Sequence, residues 1–166
     1  MDETAIKNDM AGASVVEVAR ALCVAKAMAV SQRHPDAYVI GADQILEHAG
    51  QRFDKPANLE DARRQLQTLR GRTHSLVSGV CVVHGGHLTW QHAVTVRLEM
   101  RDFSDEFLDA YLIRAEDACR HSVGAYHVEG LGAQLFARID GDHFTIQGLP
   151  MLALMAFLRR EGLLAN

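Results

Sequence analysis

The sequence contains no long hydrophobic segment, and we expect no leader of the secretory type. None of its apolar runs approaches the ~20 residues that a helix needs to span a bilayer. The first residues also lack the basic stretch followed by an apolar stretch that marks a signal peptide. We therefore expect a soluble, cytoplasmic protein without a membrane partner. Of the 166 residues, 48% are hydrophobic and 23% are charged, which predicts one globular domain over residues 1–166.

Cysteine is scarce, and the three cysteines lie far apart. Cys23, Cys81 and Cys119 form no CxxC pair, which argues against a disulfide framework. Cys23 and Cys81 fall in apolar periodic segments and are most simply core thiols. The nine histidines show neither HxH nor HExxH spacing, so a zinc site is disfavoured.

Positive charge is also sparse. The chain carries 17 Lys and Arg against 21 Asp and Glu, with a net charge of −4, and its basic pairs are Arg63-Arg64 and Arg159-Arg160. Nucleic-acid binding requires a basic face that neutralises phosphates, so we expect no nucleic-acid partner. A polyanionic ligand would have to be met by a few placed cations, backbone amides and a metal ion.

One stretch, residues 38–56, stands out because it places an acid and a base after a short apolar run. Tyr38-Val39-Ile40 predicts a strand buried on both faces, with Asp43 at its tip. Ligands bind beyond the strand ends in sheets covered by helices, so a carboxylate there is well placed for chemistry. Lys55, just before Pro56, adds a cation that suits a phosphate. On this stretch alone, a strand-ending turn with an ordinary surface lysine is the simpler interpretation.

Cap residues and apolar periodicity predict the fold class. Helices are predicted over residues 14–31, 59–69, 105–114 and 151–161, with Ser14, Asn58 and Ser104 as N-terminal caps. Strands are predicted over residues 38–43, 44–47, 51–53, 73–84, 94–100 and 144–146. Together these elements predict an α/β fold: a single domain with a mixed twisted sheet flanked by helices.

Six short motifs occur in one order along almost the whole chain. They are Asp2-Glu3-Thr4-Ala5-Ile6, the strand end Gly41-Ala42-Asp43, Asp54-Lys55-Pro56, LRGRTH at 69–74, VGAYHVEGLG at 123–132 and Gly148-Leu149-Pro150. In this order they resemble the DE motif, the GAD strand end, the GKP element, the phosphate-side loop, the base-side loop and the GLP turn of the Maf family. That family consists of nucleoside triphosphate pyrophosphatases. The resemblance implies the fold that the family shares with inosine triphosphate pyrophosphatases.

The resemblance also implies metal-dependent hydrolysis between the α and β phosphates, which gives a monophosphate and pyrophosphate. Asp43 is then the first catalytic residue, either as a metal ligand or as the base that takes the proton of the attacking water. Glu3 would share the metal, and oxygen ligands favour Mg²⁺ or Mn²⁺. Lys55 would neutralise the phosphates, and Arg72 would add a fork of donors. Further substrate-binding residues on this interpretation are Gln44, Thr73 and Glu129. A homodimer is also suggested by the resemblance.

Three positions separate subgroups of the family. Members acting on pyrimidine triphosphates usually show GADT, a Lys-Ala-Gly-Ala-Tyr run and a Gln-Gly pair. This chain has Gln44 after Asp43, Ser122-Val123 in place of Lys-Ala, and Glu129 in place of that Gln. The pairs Asp43-Gln44 and Glu129-Gly130 resemble the branch associated with 7-methyl-GTP. A carboxylate only accepts hydrogen bonds, so Glu129 suits the N1–H and N2–H₂ donors of guanine and a positively charged methylated purine.

Two other functions stay open. The chain could be a dTTP or UTP pyrophosphatase of the same family, with Glu129 as a solvated loop carboxylate. It could also be a non-catalytic nucleotide-binding regulator linked to cell division, although mere binding needs no base such as Asp43.

The family begins with a strand and a loop rich in Ser and Arg (SxSxRR), which grips the triphosphate ahead of the DE motif. This chain begins at that motif, with Asp2-Glu3. We therefore expect an N-terminally truncated Maf-like domain, lacking the family's first strand and SxSxRR loop. Reduced stability and weak or absent turnover are expected of this form.

Overall fold

The computed structural model describes residues 1–165, apart from the side chains at positions 117 and 118. The strands are β1 (Val39–His48), β2 (Gln51–Phe53), β3 (Thr73–His84), β4 (His87–Met100) and β5 (Phe136–Asp140). The helices are α1 (Glu3–Asp9), α2 (Val15–Ser31), α3 (Leu59–Leu69), α4 (Asp105–Arg114), α5 (Glu116–His121), α6 (His143–Ile146) and α7 (Met151–Arg160). Within the described part of the chain, no helix has the length and apolar character of a membrane span.

The strands form one sheet in the order β2-β1-β3-β4-β5. β1 pairs antiparallel with β2, and β4 pairs antiparallel with β5. Turns at Ala49-Gly50 and Gly85-Gly86, all with positive φ, connect β1 to β2 and β3 to β4. The predicted α/β fold with a helix-flanked sheet is confirmed. The sheet is antiparallel rather than mixed, because these short turns join strands of opposite direction. β1 and β3 also run in opposite directions, since Gln44 contacts Ser78 whereas His48, further along β1, contacts Thr73, which lies earlier in β3.

Local caps explain the helices that the sequence predicts well. Ser14 and Glu17 form a reciprocal capping box at the start of α2. The side chains of Asn58 and Ser104 accept hydrogen bonds from backbone amides at the starts of α3 and α4. These contacts lie within four residues of sequence, so a pattern of residue types is enough to find them.

The predicted strand over residues 144–146 is wrong. These residues belong to α6, because the side chain of Asp142 accepts a hydrogen bond from the backbone N–H of Thr145 and caps a helical turn. The strand of this region is β5, which begins at Phe136 and pairs with the end of β4.

By their internal contacts, the residues group into two compact units. The first unit comprises Met1–Gln44, Val77–Thr95 and the segment from Asp142 onward. Its core lies on both faces of β3. One cluster contains Cys23, Ala27, Cys81 and Val83, and the other contains Val80, Val82, Leu154 and Phe157. β3 is therefore buried on both faces in this unit. The sequence pattern instead predicts burial on both faces for residues 38–40. Tyr38, just before β1, and Ile40, at its start, are nearly half exposed.

The second unit comprises Ile45–Leu76 and Val96–Gly141. Helix α3 packs against α4, α5 and a 3-10 turn at Val123–Ala125. Arg70 links α3 to α4, because its guanidinium donates to the carbonyl of Phe103 and to the carboxylate of Asp105, at 3.0 and 2.8 Å. The predicted domain over residues 1–166 stays a prediction, and Asn166 lies outside the described residues.

Candidate active site

Asp43 lies in the middle of β1 rather than at the tip of a strand. The strand continues through Asp43 to His48, because its second half pairs with β2 at Leu46, Glu47 and His48. The side chain of Asp43 is 9% exposed, so this carboxylate is almost removed from water. A buried carboxylate needs a cation or hydrogen-bond donors beside it.

That cation is Lys26, which the sequence interpretation did not assign to the site. Its Nζ lies 2.5 Å from an oxygen of Asp43 and 3.1 Å from an oxygen of Glu3. Two carboxylates, from α1 and β1, therefore converge on one ammonium group carried by α2. Lys26 is two-thirds buried, whereas Glu3 remains 45% exposed.

The approach of α2 to β1 depends on a glycine. A Cβ added at Gly41 would lie 2.2 Å from the carbonyl oxygen of Cys23 and 2.9 Å from the Cβ of Ala27. Only a glycine at this position lets the helix backbone lie so close to the strand. The close approach brings Lys26, one turn beyond Cys23, next to Asp43.

Glu3 is positioned by a short helix. Asp2 caps α1 by accepting a hydrogen bond from the N–H of Ala5 at 3.1 Å, and α1 contacts α2. α1 has no buried residue, so it shows no apolar stripe that would predict it. The carboxylate of Glu3 in its first turn is also favoured by the helix dipole.

Burial and the neighbouring charges have opposite effects on the pKa values of Asp43 and Lys26. Burial raises the pKa of Asp43 above its ordinary value, and the hydrogen bond and charge of Lys26 offset part of that rise. Burial opposes the ammonium form of Lys26, but the hydrogen bonds and charges of Asp43 and Glu3 together raise its pKa. Lys26 is therefore a cation at neutral pH. Asp43 is a carboxylate that accepts a proton more readily than an exposed aspartate.

The carboxylate pair fits a hard divalent cation. Glu3 and Asp43 already face one positive group, and Mg²⁺ is commonly held by one or two carboxylates together with substrate phosphates. No cluster of three or more His, Cys, Asp or Glu side chains able to hold a metal occurs in residues 1–165 as described. This donor set therefore suits a cation shared with a phosphate ligand, not a closed structural metal site.

The side-chain amide of Gln44 forms hydrogen bonds within the first unit. Its Nε2 lies 2.8 Å from the hydroxyl of Ser78 and 3.1 Å from the carbonyl oxygens of Thr145 and Ile146. The amide nitrogen thus ties β1 to β3 and α6. A threonine side chain is too short to reach this far, so the residue after Asp43 also affects how α6 is held.

Lys55 lies exposed in the turn that precedes α3. Gln65 donates a hydrogen bond to the carbonyl of Asp54 at 3.1 Å, and Asp61 accepts one from the N–H of Ala57 at 3.0 Å. α3 therefore fixes the backbone on both sides of Lys55. Within residues 1–165 as described, the Lys55 ammonium has no carboxylate partner.

The remaining predicted site residues, Arg72, Thr73 and Glu129, are also exposed. The backbone of Arg72 is fixed by the N–H of Met100, which donates to its carbonyl at 3.0 Å, and β3 begins at Thr73. Glu129 lies in a turn ahead of a 3-10 helix at Leu131–Leu135. Lys55 and these three residues belong to the second unit, whereas Glu3, Asp43 and Gln44 belong to the first.

One sequence signal could have identified Lys26. It falls at a core-facing position of α2, in the helical series that includes Leu22 and Cys23, both fully buried. A cation on the apolar side of a helix needs an acidic partner, because an unpaired buried charge is strongly destabilising. The sequence does not tell which acid that partner is, since Asp43 is 17 residues away.

We expect Lys26→Met to raise the pKa of Asp43 further. The substitution removes the ammonium that offsets the effect of burial, so Asp43 should ionise at a higher pH than in the wild-type chain. A carbon-13 NMR titration of the carboxyl groups measures the change. Arg20→Met, which removes an exposed cation from the same helix, serves as the control. An unchanged or lower pKa of Asp43 in Lys26→Met would contradict the interpretation of this ion pair.

Known proteins are similar in sequence to this chain over nearly its whole length. The model of the Maf-like protein family matches residues 1–161. A protein of Paramagnetospirillum magneticum named nucleoside triphosphate pyrophosphatase is 51% identical over 164 residues, which is 98% of this chain and 84% of that protein. A Brucella abortus protein named 7-methyl-GTP pyrophosphatase is 47% identical over 163 residues, or 97% of this chain and 82% of that protein. The chain belongs to the Maf family, which confirms the predicted resemblance.

Proposed function

We propose that this chain hydrolyses a nucleoside triphosphate to a nucleoside monophosphate and pyrophosphate. The observation that carries the proposal is the convergence of Glu3 and Asp43 on the ammonium of Lys26. The printed names of its relatives, nucleoside triphosphate pyrophosphatase and 7-methyl-GTP pyrophosphatase, support the same reaction. A regulator that only binds nucleotides would have no use for a buried carboxylate with a raised pKa.

In the proposed reaction, Asp43 takes a proton from the attacking water. The water oxygen bonds to phosphorus while the phosphorus–oxygen bond of the α–β anhydride breaks, and pyrophosphate leaves. A raised pKa makes Asp43 a better proton acceptor than an ordinary aspartate. Lys26 holds the carboxylate in place and, by offsetting part of the rise in the pKa of Asp43, favours the ionised form that can act as a base.

Glu3 and Asp43 are the residues that would hold a divalent cation, Mg²⁺ or Mn²⁺. When bound, such a cation neutralises phosphate charge and so eases attack on an already negative phosphorus. Lys55 and Arg72 contribute the same neutralisation from protein groups, the first as a point charge and the second as a fork of donors. Both side chains are exposed, which leaves them accessible to a phosphate ligand. Thr73 is proposed as a further contact to the substrate.

For the base we propose a preference for 7-methyl-GTP, with Glu129 as the residue that recognises it. Glu129 is exposed and lies in a turn, so its carboxylate is accessible. A carboxylate accepts the paired donors of a guanine edge and favours the positive charge of the methylated ring. The Brucella abortus relative carries the name 7-methyl-GTP pyrophosphatase, which supports this choice over dTTP or UTP.

The test is pyrophosphate release from 7-methyl-GTP, GTP, UTP and dTTP with Mg²⁺ or Mn²⁺ present. We expect the highest kcat/KM with 7-methyl-GTP. Glu129→Gln should reduce the preference for 7-methyl-GTP over UTP by roughly 10-fold or more, because hydrogen bonds to a charged acceptor are lost. Glu161→Gln, which changes another exposed carboxylate, should leave the preference unchanged.

Two outcomes would contradict the proposal at different levels. A higher kcat/KM for UTP or dTTP in the wild-type chain would refute the role of Glu129 while leaving the pyrophosphatase reaction intact. Measurable binding of these triphosphates without any pyrophosphate release would refute the reaction and favour a nucleotide-binding regulator.

A further inference from the structure

A buried histidine joins the start of β3 to the base-side loop, which is the segment 123–132. The Nε2 of His74 lies 2.7 Å from the hydroxyl oxygen of Tyr126, and the two residues are only 2% and 4% exposed. The ring of Phe136 packs against both, with centroids 6.0 Å from His74 and 4.9 Å from Tyr126. The loop is thereby attached to the residue that directly follows Thr73.

The pair leaves one polar group unsatisfied. The Nδ1 of His74 is buried without a hydrogen-bond partner among the described residues. Burial, and to a smaller extent the charge of His48, lowers the pKa of His74 to about 4, so its ring is neutral and carries one proton at neutral pH. If that proton is on Nδ1, it has no acceptor. If the proton is on Nε2, the hydroxyl oxygen of Tyr126 accepts it, and the hydroxyl proton of Tyr126 then has no acceptor in the described part of the chain. An unsatisfied buried polar group costs stability, so a gain in stability does not account for this pair.

The backbone of the base-side loop lies in close contact with the ring of Tyr126. Gly124 and Ala125 have φ of +75° and +62°, a left-handed conformation that alanine rarely adopts. A Cβ at Gly124 would lie 2.6 Å from the Tyr126 ring, so ring and backbone are in close contact. The hydroxyl of Tyr111 donates to the carbonyl of Ala125 at 3.1 Å and holds the same turn from α4. A shift of the Tyr126 ring therefore moves the backbone at Gly124 and Ala125.

We propose that His74 is a positioning residue for base selection, because its hydrogen bond to Tyr126 places the loop segment that carries Glu129. Glu129 follows Tyr126 by three residues and is exposed, so its location depends on the backbone that bears it. This inference rests on the proposed function, in which Glu129 meets the base. It adds a determinant of specificity that itself need not touch the substrate.

The variant that tests this proposal is Tyr126→Phe, which keeps the ring and removes the hydroxyl. We expect the ratio of kcat/KM for 7-methyl-GTP to that for UTP to fall roughly 10-fold, mainly through a higher KM for 7-methyl-GTP. The kcat for 7-methyl-GTP should change little, because no group in contact with the reacting atoms is altered. Tyr38→Phe removes the hydroxyl of an exposed tyrosine just before β1 and should leave the ratio unchanged.

His74→Gln is the second variant, and the double variant completes a cycle. If one hydrogen bond is responsible, Tyr126→Phe combined with His74→Gln should change the ratio no more than either single substitution. Fully additive effects would overturn the proposal. A lower melting temperature with an unchanged substrate ratio would also overturn it, because that result is expected of a purely structural contact.

Hydrogen exchange provides a measurement that does not require turnover. Backbone amides of residues 127–132 should exchange roughly 10-fold faster in Tyr126→Phe than in the wild-type chain or in Tyr38→Phe. Unchanged exchange in this segment would overturn the role of His74. A wild-type chain that releases no pyrophosphate would instead defeat the proposed function, and in that case the exchange rates alone decide whether His74 positions the loop.

Discussion

Replacing Asp43 by Asn should reduce the kcat for pyrophosphate release by at least roughly 100-fold while the protein stays folded. The amide has nearly the size of the carboxylate but takes no proton from water and is a poor ligand for a divalent cation. Burial disfavours the charged form of Asp43, as its raised pKa indicates, so a neutral side chain suits the site. Lys26 keeps Glu3 as a partner in this variant. Thermal unfolding and steady-state kinetics of the same preparation measure the two effects.

Asp36→Asn is the matched control, because Asp36 is an exposed aspartate in the turn before β1. Its activity and melting temperature should equal those of the wild-type chain. If Asp43→Asn retained activity within a few-fold of the wild type, Asp43 would be neither the base nor an essential metal ligand. If activity and melting temperature fell together, the carboxylate would be needed for the fold rather than for the reaction.

The parts of the fold that the sequence predicts correctly are those set by neighbouring residues. Helix α2 begins where Ser14 and Glu17 cap each other, and the hairpin after β1 turns at Ala49-Gly50. The strand predicted over residues 144–146 failed for the opposite reason. Phe144, Thr145 and Ile146 favour strands by residue type, but the cap from Asp142 turns them into a helix.

β5 was missed because it lies at the edge of the sheet. Arg138 and Asp140 on this strand are exposed, and they pair with each other through an ion pair at 2.9 Å. An edge strand with charged residues lacks the apolar alternation that identifies β4. Its pairing with the end of β4 is a contact between distant parts of the chain, which local patterns do not show.

The residues of the candidate site also fall into two groups: those that a local motif indicates, and those that only the packing of distant segments brings together. Glu3 and Asp43 were predicted as site residues because each belongs to a short motif of the family, and this stays a prediction. Lys26 belongs to none of the six motifs, and its role appears only when α1, α2 and β1 are packed together. The prediction that Gln44 contacts the substrate was likewise made without knowing that its amide nitrogen donates hydrogen bonds to Ser78 and α6.

The second large effect is expected for Gly41→Ala, which should lower the free energy of unfolding by about 3 kcal/mol. The new Cβ would overlap the backbone carbonyl of Cys23, and a backbone atom cannot move away without shifting α2. For a chain of this length, such a loss corresponds to a melting temperature lower by roughly 6–12 °C. Gly12→Ala is the control, because a Cβ at Gly12 has nothing within 4 Å and should change the stability by less than about 0.5 kcal/mol.

Gly41→Ala should also reduce activity at temperatures where the variant is fully folded. Any shift of α2 away from β1 lengthens the contact between Lys26 and Asp43, which is 2.5 Å in the wild-type chain. Asp43 would then lose part of the charge that offsets burial, and its pKa would rise as in Lys26→Met. The acidic limb of the pH–rate profile should therefore move to higher pH in both variants and stay unchanged in Gly12→Ala. An unstable Gly41→Ala variant with a wild-type pH profile would show that the close packing at Gly41 serves the fold alone.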